Sequence, residues 1–280
     1  MALVGLSTKC FSQVSIPLGR QAEICKNTHG NVFEIDFTVN DIRTEMSDTL
    51  VEKIRRFNKV FLLAPKRAIP GGELIDYSNN EKARETIARL ADVSQEVGSN
   101  GVIFYPYLVS DFEFLLGACG EYGIKVVVEN MDQARGKQSF PNLYRWHNDF
   151  GMLSNDPRVG IALNLQHSYE CDSSMRVVKG LIRLFKERVM LVHVSGRTIE
   201  HNHWPLNSSD DRDRIIDVLD RVPMDVPLIA QGYFLYDLDG GAEEEVEYIK
   251  KERGRIQFIP QKQEIGASGR LRTERPITRG

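Results

Sequence analysis

The sequence predicts a single closed (β/α)8 barrel, an α/β fold, and three observations lead there. Eight short apolar runs are spread along the 280 residues, stretches with helical spacing lie between them, and the length is close to the ~250 residues typical of such barrels. Most of the runs are continuous rather than alternating, which suits strands buried on both faces of a parallel sheet. A hydrophobic content of 41% is enough for a proper core. The competing arrangement is a doubly wound open sheet. That fold ordinarily carries a glycine-rich phosphate turn after an early strand, and none is present.

Taken in order, the first strand is read over 2–6 (ALVGL), the second over 31–37 (NVFEIDF) and the third over 59–65 (KVFLLAP). The stretch 48–57 (DTLVEKIRRF) places apolar residues three and four apart and predicts a helix, as does 80–98 (NEKARETIARLADVSQEVG). The fourth strand is 101–107 (GVIFYPY). It leads into a helix over 110–123, with Ser110 as N-cap and Gly123 just past its end. Strands five and six are 124–130 (IKVVVEN) and 159–165 (VGIALNL). A helix over 173–188 leads to strand seven, 189–195 (VMLVHVS), and a helix over 210–222 leads to strand eight, 226–232 (VPLIAQG). Asp210, Asp211 and Asp213 suit the start of that helix, where negative charge meets the positive end of the helix dipole. A last helix over 241–254 closes the series. No internal linker appears, so residues 1–254 are read as one barrel and the arginine-rich segment 255–280 as a disordered tail.

The composition excludes several classes. Net charge is −3 and the isoelectric point about 6.1, so there is no global basic field to hold nucleic acid. The four cysteines, Cys10, Cys25, Cys119 and Cys171, show no CxxC spacing, which argues for reduced thiols rather than a thiolate metal site or a disulfide framework. No window approaches the ~18 consecutive apolar residues of a membrane span, and the first residues lack the pattern of a signal peptide. The expectation is a cytoplasmic protein that meets no membrane.

In a barrel of this kind, chemistry gathers at the C-terminal ends of the strands. Those ends carry Asp36, Leu63, Tyr105, Glu129, Asn164 with His167, His193 and Gln231. The stretch "VHVSGRTIEHNHWPL" gathers three of the six histidines, His193, His201 and His203, and an i, i+2 pair points one way from an extended backbone. A carboxylate at Glu129 needs a cation or donors, because an unpaired charge there is costly. Asp36 serves equally as a site residue or as the acceptor for the turn that follows it. Lys66, after strand three, is placed to grip a phosphate, and Trp204 to stack on a ligand. His29 and His147 are read as ordinary loop or helix residues.

The segments "VVVEN", "LNLQH", "VHVSG" and "HNHWPL", with a polar residue ending strand eight, resemble the xylose-isomerase-like barrel superfamily, which includes sugar and sugar-phosphate isomerases and epimerases and endonuclease IV. The resemblance runs over residues 1–254 and rests on the order of these short segments. It implies that Glu129 matches a metal-binding glutamate and His193 the strand-seven histidine. It further implies that His167 matches a histidine three residues past an acidic ligand, and His203 that of an H-x-P-L segment. The departures are equally specific. Asn164 stands where the family has a metal-ligand aspartate, Gln231 where it has a second glutamate, and Leu63 and Tyr105 where endonuclease IV relatives have histidines. His201 stands where those relatives have aspartate.

From the resemblance, the expected cofactor is a divalent ion, Zn²⁺ first with Mn²⁺ or Mg²⁺ as alternatives, on His167, His201, His203, Glu129 and His193. Glu129 and His193 are the expected catalytic pair. Asp36, Lys66, Asn164, Trp204 and Gln231 are the expected contacts to a small carbohydrate or phosphate substrate. Two amides in place of carboxylates weaken the hold on a hard cation, and Gln231 cannot accept a proton. Three readings follow: a metal-dependent sugar isomerase or epimerase, an endonuclease IV-like phosphoesterase, and a barrel whose site has decayed into ligand binding.

Overall fold

Eight parallel strands close on themselves in the order in which the chain makes them. The computed structural model describes residues 2–43, 46–67, 72–78, 80–130 and 158–258. The barrel strands are β1 (Val4–Ser7), β2 (Val32–Asp36), β3 (Lys59–Leu63), β4 (Val102–Phe104), β5 (Val126–Glu129), β6 (Val159–Asn164), β7 (Val189–Val194) and β10 (Leu228–Ala230). Each pairs in parallel with the one before it, and β10 also pairs with β1 (Val4 opposite Leu228), which completes the ring. All eight strands read from the apolar runs are therefore barrel strands. No helix among the described residues is long and apolar enough to cross a membrane.

Alternation within a strand sorts side chains between the barrel interior and the helical layer. On β2, Phe33 points outward and stacks on Phe57, with ring centroids 5.0 Å apart. Its neighbour Glu34 points inward and meets His193 across the barrel. A strand buried at every position can thus carry an acid only if the interior supplies donors.

Around the strands lie α1 (Leu18–Asn27), α2 (Asp48–Arg55), α3 (Glu81–Val97), α4 (Phe112–Glu121), α5 (Leu165–Cys171), α6 (Arg176–Leu184), α7 (Arg212–Leu219) and α8 (Leu238–Phe258). The side chain of Asn80 caps α3 by accepting from Ala83 N at 2.8 Å. Gly98, at φ 68°, ends that helix in the left-handed conformation that glycine adopts without strain. The four cysteines are free thiols.

Several boundaries differ from the sequence reading for physical reasons. The N-cap of α4 is Asp111, which accepts from Phe114 N at 3.0 Å, whereas Ser110 is engaged by Asp76 and Ser78. Gly123 does follow the helix with φ 68°, as expected. Strand β4 stops at Phe104 because Pro106 opens a 3-10 turn over Pro106–Leu108. Helix α1 was not anticipated; its buried face includes Gln21, which thins the apolar stripe. Helix α8 continues past residue 254 to Phe258, so the tail does not begin at 255; residues 259–280 lie outside the described residues. Arg253 fastens this helix by donating to the carbonyls of Leu219 (2.6 Å) and Pro223.

The largest unforeseen feature follows β7. A short antiparallel hairpin, β8 (Gly196–Arg197) and β9 (Asn202–Trp204), stands outside the barrel and carries the histidine-rich segment. Its far end lies against the exit of β10. Tyr233 N donates to His203 O at 2.9 Å, and a Cβ on Gly232 would fall 2.5 Å from Pro205 N.

Candidate functional site

The polar strand ends form a closed ring inside the barrel. Glu34 Oε2 lies 2.6 Å from His193 Nε2, and His193 Nδ1 lies 3.3 Å from Glu129 Oε2. Glu129 Oε1 accepts from Asn164 Nδ2 at 2.9 Å, and the same amide nitrogen donates to Gln231 Oε1 at 3.2 Å. Gln231 Nε2 returns to Glu34 Oε1 at 3.1 Å. All five side chains are at most 1% exposed. Four of them, Glu129, Asn164, His193 and Gln231, were read from the sequence, and the structure brings those four together. The fifth, Glu34, was missed. It sits two residues before Asp36 on the same face of an extended strand, and that period of two was the available signal.

Electrostatics follow from the geometry. Burial alone would raise the Glu129 carboxyl, but the His193 charge and contact, with His167 beyond, hold it down at about 2. For His193, burial works downward; Glu34 and Glu129 on either side overcome it and lift the imidazole to about 10. The contact between His193 Nδ1 and Glu129 Oε2 is an ion pair without an aligned hydrogen bond.

A second layer orients the ring. Asn164 caps α5, its Oδ1 accepting from His167 N at 3.2 Å. Asn130 grips the backbone at that position from both sides, accepting from Asn164 N (2.6 Å) and donating to Asn164 O (3.1 Å). His167 Nδ1 bonds Asn130 O at 3.0 Å and lies 3.6 Å from Glu129 Oε1. His203 meets His167 edge-on, with centroids 5.3 Å apart, and its Nδ1 lies 3.1 Å from Ser195 Oγ. Sequence reasoning named neither Asn130 nor Ser195, because only tertiary contacts give them a role.

His201 does not join the other two histidines. Its side chain is 49% exposed, stacks on Trp204 (4.9 Å) and lies near Glu200. The i, i+2 argument required an extended backbone, and His203 instead adopts φ 56°, in the left-handed region. That twist sends His203 inward and leaves His201 outside. Asp36 is buried and serves the turn after β2, its Oδ1 accepting from Thr38 N at 2.6 Å; burial raises its carboxyl. Lys66 reaches over the Tyr105 ring, 4.6 Å from the centroid.

The residues present do not fit a divalent ion. Among the described residues, no group of three or more His, Cys, Asp or Glu side chains is arranged to hold a metal. At the ring, the two amides aim N–H groups at the carboxylates, so donors stand where a cation needs oxygen ligands.

Two cavities flank the ring at the rim. One, of about 410 Å³, is lined by Thr8, Ser12, Gln13, Ser15, Gln21 and Asn40 with four apolar neighbours, and holds no ionisable side chain. The other, of about 420 Å³, lies between the end of α5 and the hairpin, where Tyr169, Glu170, Arg197, Asp210 and Asp211 meet.

The fold is similar to that of several solved barrels. An L-ribulose 3-epimerase superposes with a TM-score of 0.69 at 13% identity, covering 92% of this chain and 96% of that one. Endonuclease IV from Thermus thermophilus gives a TM-score of 0.63 at 18% identity, over 89% of this chain and 99% of that one. A xylose isomerase-like TIM barrel/4-hydroxyphenylpyruvate dioxygenase fusion protein gives 0.62 at 12% identity, over 91% of this chain and 44% of that one. No family model and no curated protein matches the sequence.

Proposed function

The chain has the xylose-isomerase-like TIM-barrel fold, and from that premise we propose that it binds a small hydroxyl-rich molecule of the sugar class at the C-terminal mouth without proton-transfer catalysis. One observation carries the reading: Glu34, His193, Glu129, Asn164 and Gln231 answer one another, through four hydrogen bonds and the His193–Glu129 ion pair. An efficient general base or acid titrates near the working pH. The neighbouring His193 holds Glu129 as a carboxylate, and Glu34 and Glu129 on either side hold His193 as an imidazolium, an arrangement that favours keeping these charges over passing a proton to a ligand. The ring is then a rigid polar floor, and recognition falls to the rim. Both rim cavities are of the size that small-molecule sites occupy, roughly 300–1,000 Å³. Hydroxyls and amides around the first suit a neutral polyol.

A second reading is favoured by the likeness to L-ribulose 3-epimerase. In it, Glu129 and His193 are the reacting pair, and Asp36, Lys66, Asn164, Trp204 and Gln231 contact a sugar or sugar phosphate. The nuclease reading has less support: Leu63, which ends β3, and Tyr105, which follows β4, offer no imidazole, and the chain is net negative.

Calorimetric titration with neutral pentoses and hexoses, and with their phosphates, tests the proposal. The expected result is saturable binding of a neutral sugar that Ser15→Trp, which sets an indole on the wall of the 410 Å³ cavity, weakens sharply. Turnover of a sugar that Glu129→Gln eliminates would overturn it in favour of the second reading.

A further inference from the structure

We propose that Asn164 and Gln231 are what shuts a divalent cation out of this barrel, and that His193, held between Glu34 and Glu129, stands in the cation's place. This holds whatever occupies the mouth.

The argument begins at a helix end. The first N–H groups of α5 have no partner within the helix, and the His167 amide takes Asn164 Oδ1 at 3.2 Å. An amide has one oxygen. Once that oxygen is committed to the helix, only the NH₂ group can face the barrel. It donates to Glu129 Oε1 at 2.9 Å and to Gln231 Oε1 at 3.2 Å. That second bond commits the only oxygen of Gln231, so its NH₂ group turns to Glu34 Oε1 at 3.1 Å. The direction of every bond is thus dictated, step by step, by one backbone amide.

The consequence is chemical. A carboxylate at position 164 could cap the helix with one oxygen and still present the other to the interior, and a carboxylate at 231 would do likewise. With two amides, each of the buried acids receives a donor N–H on one oxygen and the His193 ring on the other. A metal ion entering here would meet hydrogens and would have to displace an imidazole packed between two acids. Hard cations bind oxygen ligands and gain affinity with the number of charged ones.

Metal analysis of the wild-type protein and of Asn164→Asp/Gln231→Glu, each dialysed against Mn²⁺ and separately against Zn²⁺, tests this. The expected result is substoichiometric metal in the wild type, with a melting temperature indifferent to chelator and to added ion. The double variant is expected to retain one ion and to melt at a temperature that climbs with ion concentration. Should the double variant fold poorly, Asn164→Asp alone keeps a good N-cap and is expected to bind Mn²⁺ more tightly than wild type. One equivalent of metal in the wild type, lost on His193→Ala, overturns the proposal. So does a folded double variant that binds no more metal than wild type, because the amides would then not be the barrier. Neither outcome touches the sugar-binding reading, whose readout is ligand titration of the wild type.

Discussion

The strand-borne ring and the hairpin rim occupy the same end of the barrel and spend their polar groups in opposite ways. In the ring, four side chains on strands and Gln231, just past β10, answer one another and are at most 1% exposed. At the rim, His201 is half exposed, Ile199 is 93% exposed, and Arg197 lies over the Tyr169 ring beside an open cavity. The difference teaches where to look for each job. Groups that have consumed one another hold shape, and groups left facing solvent are free to meet a ligand.

The strongest way to break that comparison is His193→Leu. Two buried acids would lose the cation between them, and removing one partner of such a pair costs about 3–5 kcal/mol. Urea unfolding reads this directly; a loss below about 1 kcal/mol would mean that the ring does not organise the interior.

Next comes Glu245, the tie between α8 and the end of the hairpin segment, which accepts from Leu206 N (2.7 Å) and Asn207 N (3.0 Å). Glu245→Ala leaves one buried donor, Leu206 N, without a partner at a cost of roughly 1–3 kcal/mol, and one partly buried donor, Asn207 N, at a smaller cost. Faster hydrogen exchange at Leu206 and Asn207, with unchanged exchange in β6 and β7, is the expected pattern.

The same carboxyl sets a pH dependence. Burial lifts it from an ordinary 4.5 to about 7. A group raised in the folded state contributes stability that is full below about pH 4.5 and is lost as pH climbs through about 7. Stability therefore falls between about pH 4.5 and 7 by an amount that Glu245→Gln removes; equal slopes in the two proteins would refute the assignment.

The smallest effect is expected of His201→Ala. An exposed stacking partner contributes within about 0.5 kcal/mol to stability, so denaturation is unmoved. If unfolding shifts by more than that, the rim is not the adaptable half of the pair.

The fold was legible because eight buried parallel strands write eight apolar runs, and Gly123 marks a helix end by known backbone chemistry, whereas Pro106, which ends β4, was read as part of its strand. Four of the five ring residues were legible for a related reason, since a polar residue ending an apolar strand has few places to go. Glu34 was overlooked although its alternation with Phe33 placed it inside. The hairpin was not legible: two-residue β8 has no periodicity to detect, and nothing in the sequence announces the left-handed φ of His203. Glu245 was out of reach as well, being joined to its donors across 39 and 38 residues of sequence.

The close approach at Gly232 bears on how the two halves communicate. Main chain lies directly on main chain there, with Tyr233 N bonded to His203 O, and no side chain cushions the seam. A ligand that pries the hairpin away from the barrel must drag residues 231–233 along, and Gln231 is a link of the interior ring. The seam thus joins the hairpin to the interior ring through one peptide unit, that between Gln231 and Gly232.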